Sequence, residues 1–175
     1  MCILMGLNLE ARDISSFIKD FKAKKYNKVC DKGSRAYYGG YTEENFVSLV
    51  GISCAKVDRI NVLGMLQRSL VLTEASRENA SYFSSLIIQK RLLYQFMIDN
   101  LDISNLKLPS SRHILSRVFE ALSKGQYQVL STSPKLIEIN TNERKYILSI
   151  SDDEPKKVLV DEYKADGSLE RHWYQ

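Results

Sequence analysis

Histidine and proline are scarce in this chain of 175 residues, with two of the first and three of the second, beside one tryptophan and three cysteines. Each scarcity removes a class of explanation. His113 and His172 lie far apart, and Cys2, Cys30 and Cys54 lack metal-ligand spacing, so neither a metal nor a cofactor is expected. Three cysteines cannot all pair, which points to reduced thiols and a cytoplasmic setting. No apolar run approaches the roughly 18 residues of a membrane span, so no membrane partner is expected. The opening "MCILMGL" is apolar but short and lacks the basic leader of a secretory signal. It reads as a first strand or as an arm tucked into the core.

Catalytic motifs are missing too. "GSRAYYGGY" lacks the lysine and glycine spacing of a phosphate loop or a dinucleotide fingerprint. The carboxylates of "SDDEP" fit no calcium loop, and no Gly-x-Ser-x-Gly elbow is present. An enzyme is therefore the lesser expectation.

What is present is the composition of a globular chain, 44% hydrophobic and 26% charged, long enough for one large domain or two small ones. The charge is uneven. Between Lys19 and Arg35 the basic residues Lys19, Lys22, Lys24, Lys25, Lys28, Lys32 and Arg35 face only Asp20 and Asp31, a surplus of five where the whole chain carries +4. A basic patch on a neutral body suits a polyanionic partner.

The periodicity sets an α+β class. In "DISSFIKDFKAKKY" Ile14, Phe17, Ile18 and Phe21 recur at helical spacing behind a capping Asp13. "DKGSRAYYGGY" reads as a loop, broken by Gly33, Gly39 and Gly40. "VLGMLQRSLVLTEAS" reads as helix with a weak point at Gly64. A longer helix is expected over 79–99, with Tyr82, Phe83, Leu86, Leu93, Phe96 and Met97 on one stripe. After the loop "DISNLKLPSS", a helix starts behind Ser110 and Ser111 and ends at Gly125, with Ile114, Leu115, Val118, Phe119 and Leu122 inward. From Tyr127 the period falls to two. "YQVLST", "KLIEIN", "KYILSI", "KVLVDEY" and "LERHWY" are short strands joined by hairpin-like turns, hence an antiparallel meander carrying one helix. The expected division is a mainly helical region 1–105 and a helix-plus-meander region 106–175.

One stretch carries more than fold. In "FVSLVGISCAKVDRI", Val47 and Val50 precede Gly51, and Ile52, Val57 and Ile60 follow it, at offsets that let two crossed helices share a core. Thr42 and Ser53 stand where caps are needed. The stretch, with its flanks over 42–61, resembles the helix-turn-helix unit of bacterial and phage DNA-binding regulators. The resemblance implies that Gly51 occupies the turn in a left-handed conformation. It also implies that a second helix from Ser53 to Asn61 enters the major groove of duplex DNA. Ser53, Cys54, Lys56 and Arg59 would then face outward, with Arg59 reading a guanine edge and Lys56 a base or a phosphate. Lys22, Lys25, Lys28 and Arg35 would add phosphate contacts. Two residues depart from the pattern: Val47 replaces the usual alanine, and Asp58 brings a carboxylate toward phosphate. The leading expectation is a nucleic-acid-binding protein of transcription regulation.

Two other classes compete. On "SSRHILSRVFEALSK" the side chains His113, Arg117, Glu120 and Lys124 form a polar stripe. A helix followed by a meander is similar in outline to small metal-independent ribonucleases of toxin type. Such a reading makes His113 or His172 the acid–base group, with Arg117 and Arg171 stabilising charge and Tyr174 stacking on a base. The remaining class is a protein-binding inhibitor, effector or immunity-type protein, whose function leaves a surface and no motif. In the regulator reading the C-terminal meander would serve dimerisation, as a homodimer, or partner sensing. Finally Tyr37, Tyr38 and Tyr41, beside Arg35, either stack on single-stranded bases or cover the core.

Overall fold

A computed structural model describes residues 11–175, with side chains from residue 14 onward. "MCILMGL" and Cys2 lie outside the described residues. The order is helical first and β last, an α+β chain. It divides into two compact units, one ending at Ser81 and the other beginning at Tyr82.

The first unit is helical. Helix α1 (Ala11–Lys22) starts ahead of Asp13, which therefore lies inside it. It sets Phe17 edge-on against Phe46, with ring centroids 5.1 Å apart. Its end is sharp, because Lys24 takes a left-handed φ of 57° and the chain turns straight into α2 (Tyr26–Tyr38). Here the expected loop is wrong: "DKGSRAYY" is helical. Gly33 lies in mid-helix because α2 and α3 (Glu44–Ala55) approach closely there. A Cβ at Gly33 would fall 2.3 Å from Val50 Cγ2. A disulfide between Cys30 and Cys54 joins the same two helices, so two of the three cysteines are oxidised and the expectation of reduced thiols fails for them.

Glu43 caps α3, its carboxylate accepting the N–H groups of Asn45 and Phe46 at 3.0 and 2.8 Å. A turn over 56–59, with Asp58 at φ 57°, leads to the short α4 (Ile60–Leu66) and a 3-10 turn (Gln67–Ser69). Gly64 lies within α4. The buried carboxylate of Glu44 accepts the N–H groups of Val71 and Leu72 at 2.6 and 2.7 Å, and of Thr73 at 3.3 Å. These bonds tie the start of α3 to the residues that precede α5 (Glu74–Ile98). Burial by itself would raise the Glu44 pKa, but these donors outweigh it and hold the carboxyl at about 2.

In the second unit the later turns of α5 bury Phe83, Leu86, Leu93, Phe96 and Met97. Helix α6 (Ile114–Ser123) buries Ile114, Leu115, Val118, Phe119 and Leu122, and the chain leaves it through Gly125 at φ 68°. The five strands, β1 (Gln128–Thr132), β2 (Lys135–Asn140), β3 (Lys145–Ile150), β4 (Val158–Tyr163) and β5 (Leu169–Tyr174), form one antiparallel sheet in chain order. Alternation places Ile137, Ile139, Tyr146, Leu148, Val158, Val160 and Tyr174 on the core face. Among the described residues no helix is long and apolar enough to cross a membrane.

Candidate nucleic-acid interface

Helix α2 has two faces. Val29, Cys30 and Gly33 are buried toward α3. On the other side Lys25, at the N-cap, and Lys28, Lys32 and Arg35 follow at steps of three, four and three, all exposed. Those steps keep them on one stripe. At about 1.5 Å of rise per residue the stripe is roughly 15 Å long, with a cation about every 5 Å. Lys19 and Lys22 in the last turn of α1, and Lys24 in the connecting turn, are exposed beside it.

Two carboxylates moderate this charge. Asp20 lies 2.7 Å from Lys28 Nζ and 3.9 Å from Lys25 Nζ; the hydrogen bond from Lys28 holds its carboxyl below the usual range. Asp31 pairs with Arg59. Both members of that second pair are over two-fifths exposed, so the pair contributes little stability, typically under about 1 kcal/mol. The pair joins the 56–59 turn, with exposed Lys56 and Arg59, to the basic helix.

The helix-turn-helix geometry differs from the expectation. Gly51 lies inside α3, and no turn forms there. A glycine in a helix interior costs about 1 kcal/mol, which the burial of Val47, Val50, Cys54 and Ala55 around it overrides. Consequently no helix runs from Ser53 to Asn61. Ser53 is buried and donates its hydroxyl to the Leu49 carbonyl at 2.8 Å, and Cys54 is consumed by the disulfide. The following helix is α4, seven residues long with Ile60, Leu63 and Leu66 buried. Of the outward residues expected from the resemblance, only Lys56 and Arg59 are exposed. No family model matches the chain, and no curated protein or solved structure matches it. Function therefore has to be read from the surfaces themselves.

The residues expected of a ribonuclease are partly dispersed. His113 is the N-cap of α6, its Nδ1 accepting the Leu115 N–H at 3.1 Å. Arg171 forms a two-point bond with Asp161, at 2.6 and 2.7 Å, and its neighbour His172 points to the opposite face of β5. Arg117 and His172 do converge, both on the buried carboxylate of Glu162, at 3.9 and 4.0 Å. Arg144 completes that cluster by bonding Glu162. Beside it lies a cleft of about 420 Å³ lined by Arg117, Arg144, Tyr146 and Gln126, and no histidine lines it. Tyr146 is buried there, and burial pushes its phenol pKa up. Tyr174, expected to stack on a base, is buried in the core.

Glu162, Glu170 and His172 bring ligand atoms within 4.8 Å of one another. The chain's own cations already occupy the carboxylates: Glu162 is paired with Arg144 and Glu170 with Lys164. Glu162 and Arg144 were not singled out from the sequence. The one signal of Glu162 there is a polar residue on the inward phase of a strand whose other inward positions are apolar.

Proposed function

We propose that this protein binds nucleic acid through the sugar–phosphate backbone, using the exposed stripe Lys25, Lys28, Lys32 and Arg35 as its central contact. The stripe carries the reading. Four cations at regular spacing on the face of α2 opposite its buried side offer a linear polyanion a row of charge partners. Lys19, Lys22 and Lys24 extend the positive surface at one end, and Lys56 and Arg59 border it through the Asp31 contact. With Ser53 buried, any base reading falls to Lys56 and Arg59. A regulatory role at DNA is the corresponding cellular reading. The Cys30–Cys54 bond weighs against a reducing compartment.

The test is fluorescence anisotropy with a labelled oligonucleotide across a salt series. Wild type should bind at low salt with a steep linear fall of log K against log salt. The K28A/K32A/R35A variant should weaken binding and flatten the slope by about 0.7 to 0.9 per cation removed. No retention of any nucleic acid at low salt would sink the proposal.

A protein-binding role, including self-association, has its own support. On the sheet face opposite the core, Trp173 is 55% and Leu169 52% exposed, beside Tyr163 and the half-buried Leu159 and Ile147. Light scattering of wild type and a Trp173→Ser variant tests it. A monomer in both cases removes self-association.

A further inference from the structure

The sequence places three tyrosines next to Arg35, and the structure gives them different surroundings. Tyr37 turns inward and hydrogen bonds through its hydroxyl to the Met65 carbonyl at 3.0 Å and to Ser69 Oγ at 2.9 Å. Tyr41 packs edge-on against Phe46, with centroids 4.8 Å apart. Tyr38 alone of the three is more than half exposed, at 63%. It is the last residue of α2 and stands three positions after Arg35, so the two side chains are neighbours on the helix surface, at the Asp31 border of the stripe. Its own brace is the anchored Tyr37 ring, which meets it edge-on at 5.9 Å and 71°. The next two residues are the exposed Gly39 and Gly40, and a Cβ at Gly40 would meet nothing within 4 Å. No side chain follows directly to screen the ring.

An aromatic ring held from behind and open in front, at the end of a row of cations, answers two features of one ligand. The cations match successive phosphates, and the ring matches the face of a base. A duplex satisfies only the first, because its bases are stacked on one another and present edges in the grooves. We infer that the ligand of this face is single-stranded nucleic acid, with its backbone along Lys25, Lys28, Lys32 and Arg35 and one base stacked on Tyr38. The inference rests on the nucleic-acid reading above and adds to it the strandedness and the residue that senses it. Tyr38 makes no hydrogen-bond readout of base identity in this arrangement, so the preference is for strandedness and not for a sequence.

The experiment measures anisotropy of a fluorescein-labelled oligo(dT) 15-mer and of the same strand annealed to oligo(dA), each across a salt series. The proteins are wild type, Tyr38→Ala, Tyr38→Trp and K28A/K32A/R35A. Wild type is expected to bind the single strand more tightly than the duplex. Tyr38→Ala should lose about five- to hundred-fold on the single strand, the range found when one stacked base is given up, with little change on the duplex. Its salt slope should stay at the wild-type value, because stacking releases no counterions. Tyr38→Trp should retain single-strand binding, and the triple variant should lose slope on both ligands. Circular dichroism of each variant confirms an intact fold, which the exposure of all four sites favours.

Equal single-strand affinity of wild type and Tyr38→Ala, or a wild-type preference for the duplex, overturns the inference while leaving backbone binding in place. Binding to neither oligonucleotide overturns the nucleic-acid reading itself. Capture by phosphatidylserine vesicles in place of either oligonucleotide overturns both, and assigns the stripe to an anionic membrane surface.

Discussion

Replacing Gly33 by alanine tests whether α2 and α3 touch as closely as described. The added Cβ would lie 2.3 Å from Val50 Cγ2, 3.0 Å from Cγ1 and 3.2 Å from Cβ. Carbon atoms rest at about 3.5 to 4.0 Å, so the helices must separate by about 1 Å or Val50 must move. Val50 is fully buried and β-branched, with essentially one rotamer available in a helix. Separation is resisted by the Cys30–Cys54 bond less than one turn away. Overpacking of this kind costs about 1 to 3 kcal/mol, while exchanging glycine for alanine in a helix returns about 1 kcal/mol. The net expectation is a loss of up to about 2 kcal/mol, or up to roughly 6 °C in Tm for a chain of this size. Urea unfolding followed by helical circular dichroism measures it. Val50→Ala alone also destabilises, by leaving a cavity. In the double variant the new methyl enters that space, so the double should be more stable than the sum of the singles by about 1 kcal/mol. A Gly33→Ala protein about 1 kcal/mol more stable than wild type, the helix gain with no packing cost, or a double variant that is strictly additive, would refute the close contact.

Other predictions follow from the same unit. Removing the disulfide as C30A/C54A should lower the unfolding free energy by about 3.5 kcal/mol, the chain-entropy value for a sequence separation of 24; denaturant midpoints with and without reductant check it, and an unchanged midpoint contradicts it. Glu44 has a folded pKa of about 2 against an ordinary 4.5. Because the folded value is depressed, its stabilisation is fully present above the ordinary value and disappears as pH falls from about 4.5 to 2. Glu44→Gln should therefore be less stable than wild type at pH 7, and the two melting curves should converge toward pH 2; a gap independent of pH counts against the assignment. Asp31→Asn releases Arg59 and removes a carboxylate from the edge of the stripe. It should change stability by under about 1 kcal/mol and tighten oligonucleotide binding roughly two- to five-fold at low salt. Weaker binding would show that the ion pair serves to place Arg59.

Where the chain's local pattern and its tertiary packing agree, the fold was readable in advance. The change of period at Tyr127 marks the meander, and the apolar stripe from Phe83 to Met97 marks the core of α5. Two of the misreadings fall on glycines. Gly33 and Gly51 look like breaks because glycine is a poor helix former, yet both are helical. At Gly33 the decisive neighbour is Val50, seventeen positions away, which no local window contains. The disulfide was hidden for the same reason, since three cysteines leave their pairing open. The basic residues were legible as charge, and helix α2 turns them into a stripe. The separate fates of Tyr37, Tyr38 and Tyr41 were not legible, because Met65, Ser69 and Phe46 decide which rings turn inward.

The Cys30–Cys54 bond also makes a closed covalent ring of the chain between α2 and α3, and Gly39 and Gly40 lie within that ring. A protease that cuts at this exposed glycine pair leaves one molecule, and the two pieces part only after reduction. Gel mobility with and without thiol therefore reports whether the bond is closed, at a site beside the cationic stripe. For the same reason a short tag inserted between Gly39 and Gly40 stays tethered at both ends, and gives a handle next to the nucleic-acid face without opening the helix pair.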